Sequence, residues 1–206
     1  MTHEIAALRR IPPFQVRSGF LDPADHGALL AWVLTREADF VPSKLGAGRV
    51  DPAMRNSLTL RTPDFRPWRR LFRQRLRALI PEVCGDLGVV PFEAGKIEVQ
   101  LLAYRDGAFY RRHRDISRRE DRPGLRVLSC VYYFHSEPKA YSGGALRLYP
   151  IEGGAEDFID LEPQQNGLLL FPAWAPHEAR TVHCPSGRFA DSRFAINIWI
   201  HLAEAQ

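Results

Sequence analysis

The sequence predicts an α+β fold in which two amphipathic helices come first and a jelly roll of short strands follows. In the first half, apolar residues recur at helical spacing in two stretches, each opened by a proline-containing start signal. From about residue 96 onward, short apolar runs are separated by Gly, Pro and Asn turns. Helices followed by many short strands favour a double-stranded β-helix (jelly roll) with the N-terminal helices packed on one sheet.

Length and composition predict one domain. The chain has 206 residues, of which 45% are hydrophobic, and this suffices for one sizeable core. Helical support is expected over about 14–90 and the jelly-roll core over about 96–202. No segment between them has the composition of a linker, and the sequence leaves the oligomeric state open.

Charge, cysteine content and hydropathy exclude several classes of partner. A net charge of +4 is far from a nucleic-acid footprint, so no nucleic-acid partner is expected. The three cysteines are odd in number and form no C-x-x-C pair, which indicates free thiols in a reducing compartment. The longest apolar runs are too short to span a bilayer. We therefore expect a cytoplasmic protein with no membrane partner.

The elements follow in chain order. Asp22-Pro23 predicts the start of the first helix, with Asp as N-cap, and this helix should run to about Glu37. Thr62-Pro63-Asp64 opens the second helix, which should run to about Cys84 and keep its arginines on the solvated face. Strands are expected at 14–20, 55–61, 97–104, 126–134, 145–149, 158–161, 167–171 and 193–201.

The stretch Y-R-D-G-A-F-Y-R-R-H-R-D, which ends in His113-x-Asp115, indicates a metal site. Residues i and i+2 of a strand point the same way, so this imidazole and carboxylate would aim at one point. They would supply two-thirds of a 2-His-1-carboxylate face, the arrangement that suits non-haem Fe(II) and O₂ chemistry. The third ligand should come from a strand downstream.

Four downstream histidines compete for the third ligand position. His177 follows the apolar run L-L-L-F-P-A-W-A-P, so it would lie at the mouth of a strand, where an open catalytic site is expected. His183, six residues on, is its main rival. His135 and His201 are more typical of surface or satisfied core histidines.

Several motifs occur together in a specific order. They are Tyr104…Gly107…Tyr110…His113-x-Asp115, then R-V-L-S-C-V-Y-Y-F, then Ser142-Gly143-Gly144, then Leu170-Phe171-Pro172…His177, and finally Arg193-x-Ala195-Ile196-x-x-Trp199. This series resembles the Fe(II)/2-oxoglutarate-dependent oxygenases of the prolyl 4-hydroxylase class, including the oxygen-sensing prolyl hydroxylases and their bacterial relatives. The resemblance covers roughly residues 96–202.

The resemblance implies an enzyme with a defined cofactor set. It implies His113, Asp115 and His177 as catalytic iron ligands, with Fe(II), 2-oxoglutarate and O₂ as cofactor and co-substrates and ascorbate as a further candidate. The implied reaction hydroxylates an unactivated C–H bond and releases succinate and CO₂. Because Asp115 retains a carboxylate, hydroxylation is favoured over halogenation, for which Gly or Ala would open a halide site.

The resemblance also implies a co-substrate anchor. Arg193 resembles the arginine that pairs with the far carboxylate of 2-oxoglutarate, and a guanidinium fork meets a carboxylate bidentately. Tyr132 resembles the tyrosine whose hydroxyl binds the same carboxylate, and Tyr104 a further active-site tyrosine. The spacing from His177 to Arg193 is longer than is usual in the family, so His183 and Arg188 remain alternatives for ligand and anchor.

The substrate stays open between a prolyl residue of a peptide or protein, a free amino acid and a small natural-product intermediate. The polar segments Val41–Met54 and Ile116–Leu125 are candidate lids. Arginines crowd the iron motif, which would suit a carboxylate or an acidic peptide but also an ordinary solvated edge. Two alternatives are a non-catalytic cupin-like metal- or ligand-binding module, and the same iron chemistry on nucleic acid through the arginine-rich segment 61–77. Arginines near the motif are Arg111, Arg112, Arg114, Arg118 and Arg119.

Overall fold

A computed structural model describes residues 10–45, 48–116, 125–154 and 156–204. Within these ranges the chain forms two α-helices and fourteen β-strands, and most of the strands belong to two antiparallel sheets. This is the predicted α+β arrangement, with helices in the first half and most strands after residue 93. No helix in the described ranges is both long and apolar enough to cross a bilayer.

The larger sheet has seven strands, and each neighbouring pair is antiparallel. The strand that contains Arg193 lies at its centre and is hydrogen-bonded on both sides. In spatial order, with strands numbered along the chain, the sheet contains β1 (Gln15–Ser18), β11 (Gly167–Pro172), β7 (Arg126–Phe134), β14 (Arg193–Leu202), β5 (Ala94–Tyr104), β4 (Leu58–Leu60) and β2 (Phe40–Pro42).

The smaller sheet has five strands and packs against part of the larger one through a shared apolar cluster. A two-stranded ribbon accompanies it. In spatial order the smaller sheet contains β10 (Ile159–Leu161), β9 (Leu146–Leu148), β12 (His177–Ala179), β6 (Phe109–His113) and β3 (Arg55–Asn56), and the ribbon pairs β13 (Val182–His183) with β8 (Ser142–Gly143).

Helices α1 (Pro23–Leu34) and α2 (Arg66–Val83) cover the outer face of the larger sheet. The apolar stripe of α2 forms as predicted, because its buried residues recur every three or four positions. These residues join alternate side chains of the sheet strands in one core cluster. From α2 the cluster takes Phe72, Leu76, Ile80 and Val83, and from β14 it takes Phe194, Ile196, Ile198 and Ile200.

Alternation along β14 separates the core from a polar interior. Successive residues of a strand point to opposite faces, so the residues between the core positions face the smaller sheet. Those residues are Arg193, Ala195, Asn197 and Trp199. The space between the two sheets therefore receives the polar side chains of this strand.

The helix start signals work differently from one another. Pro23 begins α1 as predicted, but Asp22 makes no side-chain cap. Its carboxylate instead pairs with Arg75 of α2, which fixes the first helix against the second. Thr62 does act as a cap, because its hydroxyl accepts a hydrogen bond from the Asp64 N–H at the start of a short 3₁₀ turn before α2.

The segment 55–61 is not the single strand that its alternation predicts. It breaks at Ser57, so β3 pairs in the smaller sheet and β4 pairs in the larger one. The break is held by hydrogen bonds, since the Ser43 N–H donates to the Ser57 carbonyl at 2.9 Å and the two serine hydroxyls lie 2.9 Å apart. Residues 55–60 thus connect the two sheets.

Candidate metal and co-substrate site

His113, Asp115 and His177 converge at one point between the sheets. His113 Nε2 lies 3.6 Å from Asp115 Oδ1, and His177 Nε2 lies 3.5 Å from Asp115 Oδ2. The three potential ligand atoms all lie within 4.8 Å of one another. This set of two imidazoles and one carboxylate has the composition of a facial triad.

The way in which these residues meet differs in one respect from the prediction. β6 ends at His113, and Asp115 lies in a bend beyond it, so the two residues do not share a strand face. The Asp115 N–H and the Ile116 N–H both donate to the Ala173 carbonyl, at 3.1 and 3.0 Å, and this fixes the bend. His177 begins β12 and stands directly opposite His113 in the sheet register.

Hydrogen bonds fix the orientation of all three side chains. His113 Nδ1–H donates to the Arg111 carbonyl at 2.7 Å, and His177 Nδ1–H donates to the Ala175 carbonyl at 2.9 Å. In both rings this leaves Nε2 as the nitrogen that faces the cluster. The Ser129 hydroxyl donates to Asp115 Oδ2 at 2.7 Å.

Electrostatics favour the protonation states in which His113 and Asp115 bind a cation. Burial, reinforced by the nearby His177, lowers the pKa of His113 to about 3. Burial raises the pKa of Asp115, but His177, His113 and hydrogen bonds from Ser129 and Trp199 outweigh it and bring the pKa below its ordinary value. A neutral imidazole and an ionised carboxylate are the forms that ligate a divalent metal.

Arg193 places a buried guanidinium beside this cluster. The residue is only 2% exposed, and its Nε and Nη1 have no hydrogen-bond partner among the described residues. Its guanidinium carbon lies 4.1 Å from the Tyr104 ring and 5.2 Å from the Tyr133 ring. The buried hydroxyl of Tyr141 also lacks a partner there. Buried donors without partners are costly, so this pocket is suited to an anionic group.

Tyr104 lies where the sequence predicted it, and Tyr132 does not. Tyr104 ends β5 opposite Arg193 and lines the same cavity as the cluster. Tyr132 points to the helical face, where its hydroxyl donates to Asn166 Oδ1 at 3.0 Å and lies 2.8 Å from His26 Nδ1. The side chain of the neighbouring Tyr133 points to the opposite face of the sheet and faces Arg193.

The misplacement of Tyr132 has a simple cause. β7 reads R-V-L-S-C-V-Y-Y-F and is apolar on both faces, so hydrophobicity gives no alternation to follow. Ser129, a polar residue in this apolar strand, was the available signal for the inner face. Tyr133 lies four residues after Ser129 and must share its face. Cys130 belongs to the helical-face cluster, together with Tyr132.

The alternative ligand and anchor lie away from the cluster. His183 is exposed on β13, where it pairs with Ser142 of the ribbon. Arg188 is exposed and its Nε lies 2.7 Å from Asp191 Oδ2. His135 and His201 are buried elsewhere, and His201 Nε2 lies 2.6 Å from Glu98 Oε1.

An open groove of about 970 Å³ leads to the cluster. It is bounded by the loop after β2, the start of α2 and the edge of β5, and it shares Tyr110, His113, Asp115 and Trp199 with the inner cavity. Of the two predicted lids, the first contributes Lys44, Leu45 and Gly48 to the groove wall. The second contributes Ile116, while residues 117–124 lie outside the described ranges.

Comparison with known proteins identifies the family. The sequence profile of the 2OG-Fe(II) oxygenase superfamily matches residues 99–201, half of the chain. The chain belongs to this superfamily. All three residues of the metal cluster, and Arg193, lie inside the matched range.

The similar proteins agree with this assignment. An uncharacterised PKHD-type hydroxylase of Synechocystis is 34% identical over 187 residues, which cover 88% of this chain and 60% of that relative. The chain thus spans about 60% of the length of this curated relative.

Solved structures show the same fold. A prolyl-4-hydroxylase of Pseudomonas putida has a TM-score of 0.67 and 24% identity, with 97% of both chains covered. A Trichoplax adhaerens prolyl hydroxylase, solved with a hypoxia inducible factor peptide fragment, has a TM-score of 0.67 and 21% identity over 92% of this chain and 84% of that one. The predicted jelly-roll fold is therefore confirmed.

Proposed function

We propose that this oxygenase is an Fe(II)- and 2-oxoglutarate-dependent hydroxylase that acts on an unactivated C–H bond of a prolyl or other amino-acid-type substrate. One observation carries the proposal: a buried cluster of two histidines and one aspartate lies in the same cavity as a buried arginine, and Nε and Nη1 of this arginine have no hydrogen-bond partner among the described residues. A metal-binding module would need the first feature but not the second.

The residues present fit both groups that the family requires. His113, Asp115 and His177 would hold the iron and leave coordination positions for other ligands, as a facial triad does. Arg193 Nε and Nη1 would receive the far carboxylate of 2-oxoglutarate, and the Tyr141 hydroxyl is a further donor in that region. When bound, iron and 2-oxoglutarate supply the O₂-dependent oxidation that hydroxylates the substrate and yields succinate and CO₂.

The other residues of the cavity position these groups and exclude water. Tyr104 and Tyr133 flank the Arg193 guanidinium, which limits its rotation and fixes the direction of its fork. Ser129 and Trp199 hold the Asp115 carboxylate by hydrogen bonds. The Phe171 ring packs edge-on against His177 with ring centres 4.8 Å apart, and this apolar contact shields that side of the cluster from water.

The names of the similar proteins support an amino-acid-type substrate, and the cysteines support the expected cellular compartment. The neighbouring structures are prolyl hydroxylases by name, and one of them was solved with a peptide. Cys84, Cys130 and Cys184 are all free and buried, which supports a reducing, cytoplasmic compartment. The cupin-like alternative is disfavoured by Arg193, and the regular packing of the 61–77 segment on the sheet disfavours a nucleic-acid site on α2.

Succinate formation tests the proposal. The purified protein, loaded with Fe(II), is incubated with 2-oxoglutarate and O₂, alone and with pools of free amino acids or of proline-containing peptides. We expect stimulation by one pool and its loss in Asp115→Ala. Asp160→Ala is the matched control, because this carboxylate lies on β10 and pairs with Arg147 outside the cavity. Absence of succinate under every condition, with iron bound, would contradict the proposal.

A further inference from the structure

The groove that leads to the metal cluster is strongly cationic. Seven basic side chains line it, against two carboxylates, Glu98 and Asp115. Asp115 belongs to the metal cluster, and Glu98 is already bonded to Arg126 and His201. The basic residues are Lys44, Arg55, Arg61, Arg66, Arg69, Arg114 and Arg126.

Within the part of the chain that the structure describes, little of this positive charge is paired with carboxylates. Across the described ranges, Arg126 is the single groove cation that forms an ion pair, with Glu98 Oε1 at 3.1 Å from its Nη2. The arginines of α2 repel one another: burial, Arg73 and Arg66 together lower the pKa of Arg69. An unneutralised cluster of like charges favours an anionic partner.

Arg55 brings this charge to the wall of the metal cluster. The residue is 5% exposed, and although its Nε donates to the Ser57 hydroxyl at 3.0 Å, its buried Nη2 has no partner among the described residues. The guanidinium carbon lies 4.8 Å from the Tyr110 ring, and Tyr110 stacks on His113 with ring centres 3.6 Å apart. A ligand bound in the groove could supply the hydrogen-bond acceptor that this buried donor lacks.

The form of the groove favours a polypeptide over a nucleic acid. Non-specific binding of single-stranded nucleic acid uses aromatic rings on which bases stack. Here Tyr110 is sandwiched between Arg55 and His113, and Arg126 covers Trp199 at 4.4 Å. What the groove presents instead is guanidinium forks, which match carboxylates bidentately.

We propose that this groove selects an acidic polypeptide segment, whose Asp and Glu side chains meet the groove arginines while the residue to be hydroxylated reaches the metal cluster. This inference rests on the proposed function, since the groove matters to catalysis only if the cluster is catalytic. It narrows the substrate from any amino-acid-type compound to a polyanionic peptide or protein segment.

The first arm of the test measures binding and needs no turnover. Fluorescein-labelled prolyl peptides of one length, in acidic, neutral and basic versions, are titrated with the Mn(II)- and 2-oxoglutarate-loaded protein, alongside a labelled oligothymidylate. We expect the acidic peptide to bind most tightly and its affinity to weaken as salt is added. Equal affinity for all three peptides, or tighter binding of the oligothymidylate, would overturn the inference.

The second arm reverses charge in the groove. Arg61 and Arg66 are exposed and make no side-chain ion pair among the described residues, so Arg61→Glu/Arg66→Glu should fold. We expect its Kd for the acidic peptide to rise roughly tenfold or more and its preference to shift toward the basic peptide. The matched control is Arg17→Glu/Arg70→Glu, which makes the same charge change at exposed positions outside the groove and should bind like the parent protein.

Turnover separates this inference from the proposed function. If the acidic peptide binds selectively but no condition yields succinate, the groove is confirmed and the hydroxylase proposal fails. If succinate forms with peptides of any charge at equal KM, the hydroxylase stands and the acidic specificity fails. Equal effects of the groove and control double variants would also refute the inference.

Discussion

The two faces of the larger sheet share one backbone and perform opposite tasks. On the helical face, β7 and β14 present aromatic and aliphatic side chains that interlock, as in the Phe134–Phe194 pair with ring centres 5.4 Å apart. On the inner face, the same strands present Ser129, Arg193 and Trp199, and two buried nitrogens of Arg193 have no partner among the described residues. The apolar face offsets the cost of holding polar groups where an anion and a metal can use them.

The first prediction concerns a substitution that creates a cavity on the helical face. Ile198 is fully buried in the helical-face cluster, and Ile198→Ala should lower the free energy of unfolding by about 2–5 kcal/mol. The KM for 2-oxoglutarate of the folded fraction should not change. Urea denaturation measures the first effect and succinate kinetics the second.

Asn197→Ala is the matched control for this change, because Asn197 is the adjacent residue and lies on the opposite face. It should cost about 1 kcal/mol or less in stability. Similar destabilisation by both changes would mean that the faces are not divided in this way.

The second prediction removes the charge from the inner face. Arg193→Met should raise the KM for 2-oxoglutarate roughly a hundredfold, since it deletes a charge-assisted contact to the far carboxylate. Stability without 2-oxoglutarate should hardly change, because Nε and Nη1 have no hydrogen-bond partner to lose among the described residues. Thermal unfolding with and without 2-oxoglutarate tests both points, and a large loss of stability in its absence would contradict this account.

The third prediction compares two adjacent tyrosines. Tyr133→Phe should raise the KM for 2-oxoglutarate about tenfold, because this tyrosine lines the inner cavity beside Arg193. Tyr132→Phe should leave the KM unchanged and cost about 1–2 kcal/mol in stability, because its hydroxyl contacts Asn166 and His26. The opposite pattern would restore the role that the family resemblance assigned to Tyr132.

The fourth and smallest effect concerns pH. Burial raises the pKa of Glu98, but Arg126 and His201 outweigh this and lower it below its ordinary value. A lowered pKa stabilises the fold above the unfolded-state pKa, and this contribution is lost as pH falls through the folded-state pKa. Glu98→Gln should therefore cost about 1 kcal/mol at neutral pH and nothing in strong acid.

Chemical denaturation across an acidic pH series measures this difference. A gap between parent and Glu98→Gln that persists unchanged in acid would show that the cost is one of packing. Ile198→Ala removes no titratable group, so the loss in free energy of unfolding that it causes should not depend on pH in this way.

Most of the fold could be predicted from patterns with a single strong period. The stripe of α2 and the long strands β5, β7 and β14 came close to their observed bounds. The segment 55–61 did not, since the break at Ser57 depends on a hydrogen bond to Ser43 that no local pattern contains. Sequence periodicity reports which face is buried, but not where a chain leaves one sheet for another.

The site divides in the same way. The grouping of His113, Asp115 and His177 was predicted, although Asp115 reaches the cluster from a bend and not from a strand. Tyr132 was misplaced because β7 is apolar on both faces. The stacking of Arg55 on Tyr110 joins residues far apart in sequence, and only the fold brings them together.

A missing side chain sets the length of the inner cavity. Gly144 has a positive φ of 75°, and a Cβ at this position would lie 2.8 Å from Arg193 Nε and 2.8 Å from Val182 Cγ2. Any larger residue would displace the arginine from its observed position. For the proposed co-substrate, Gly144 therefore acts as a molecular ruler, because it fixes the distance between the two carboxylates that the enzyme can accept.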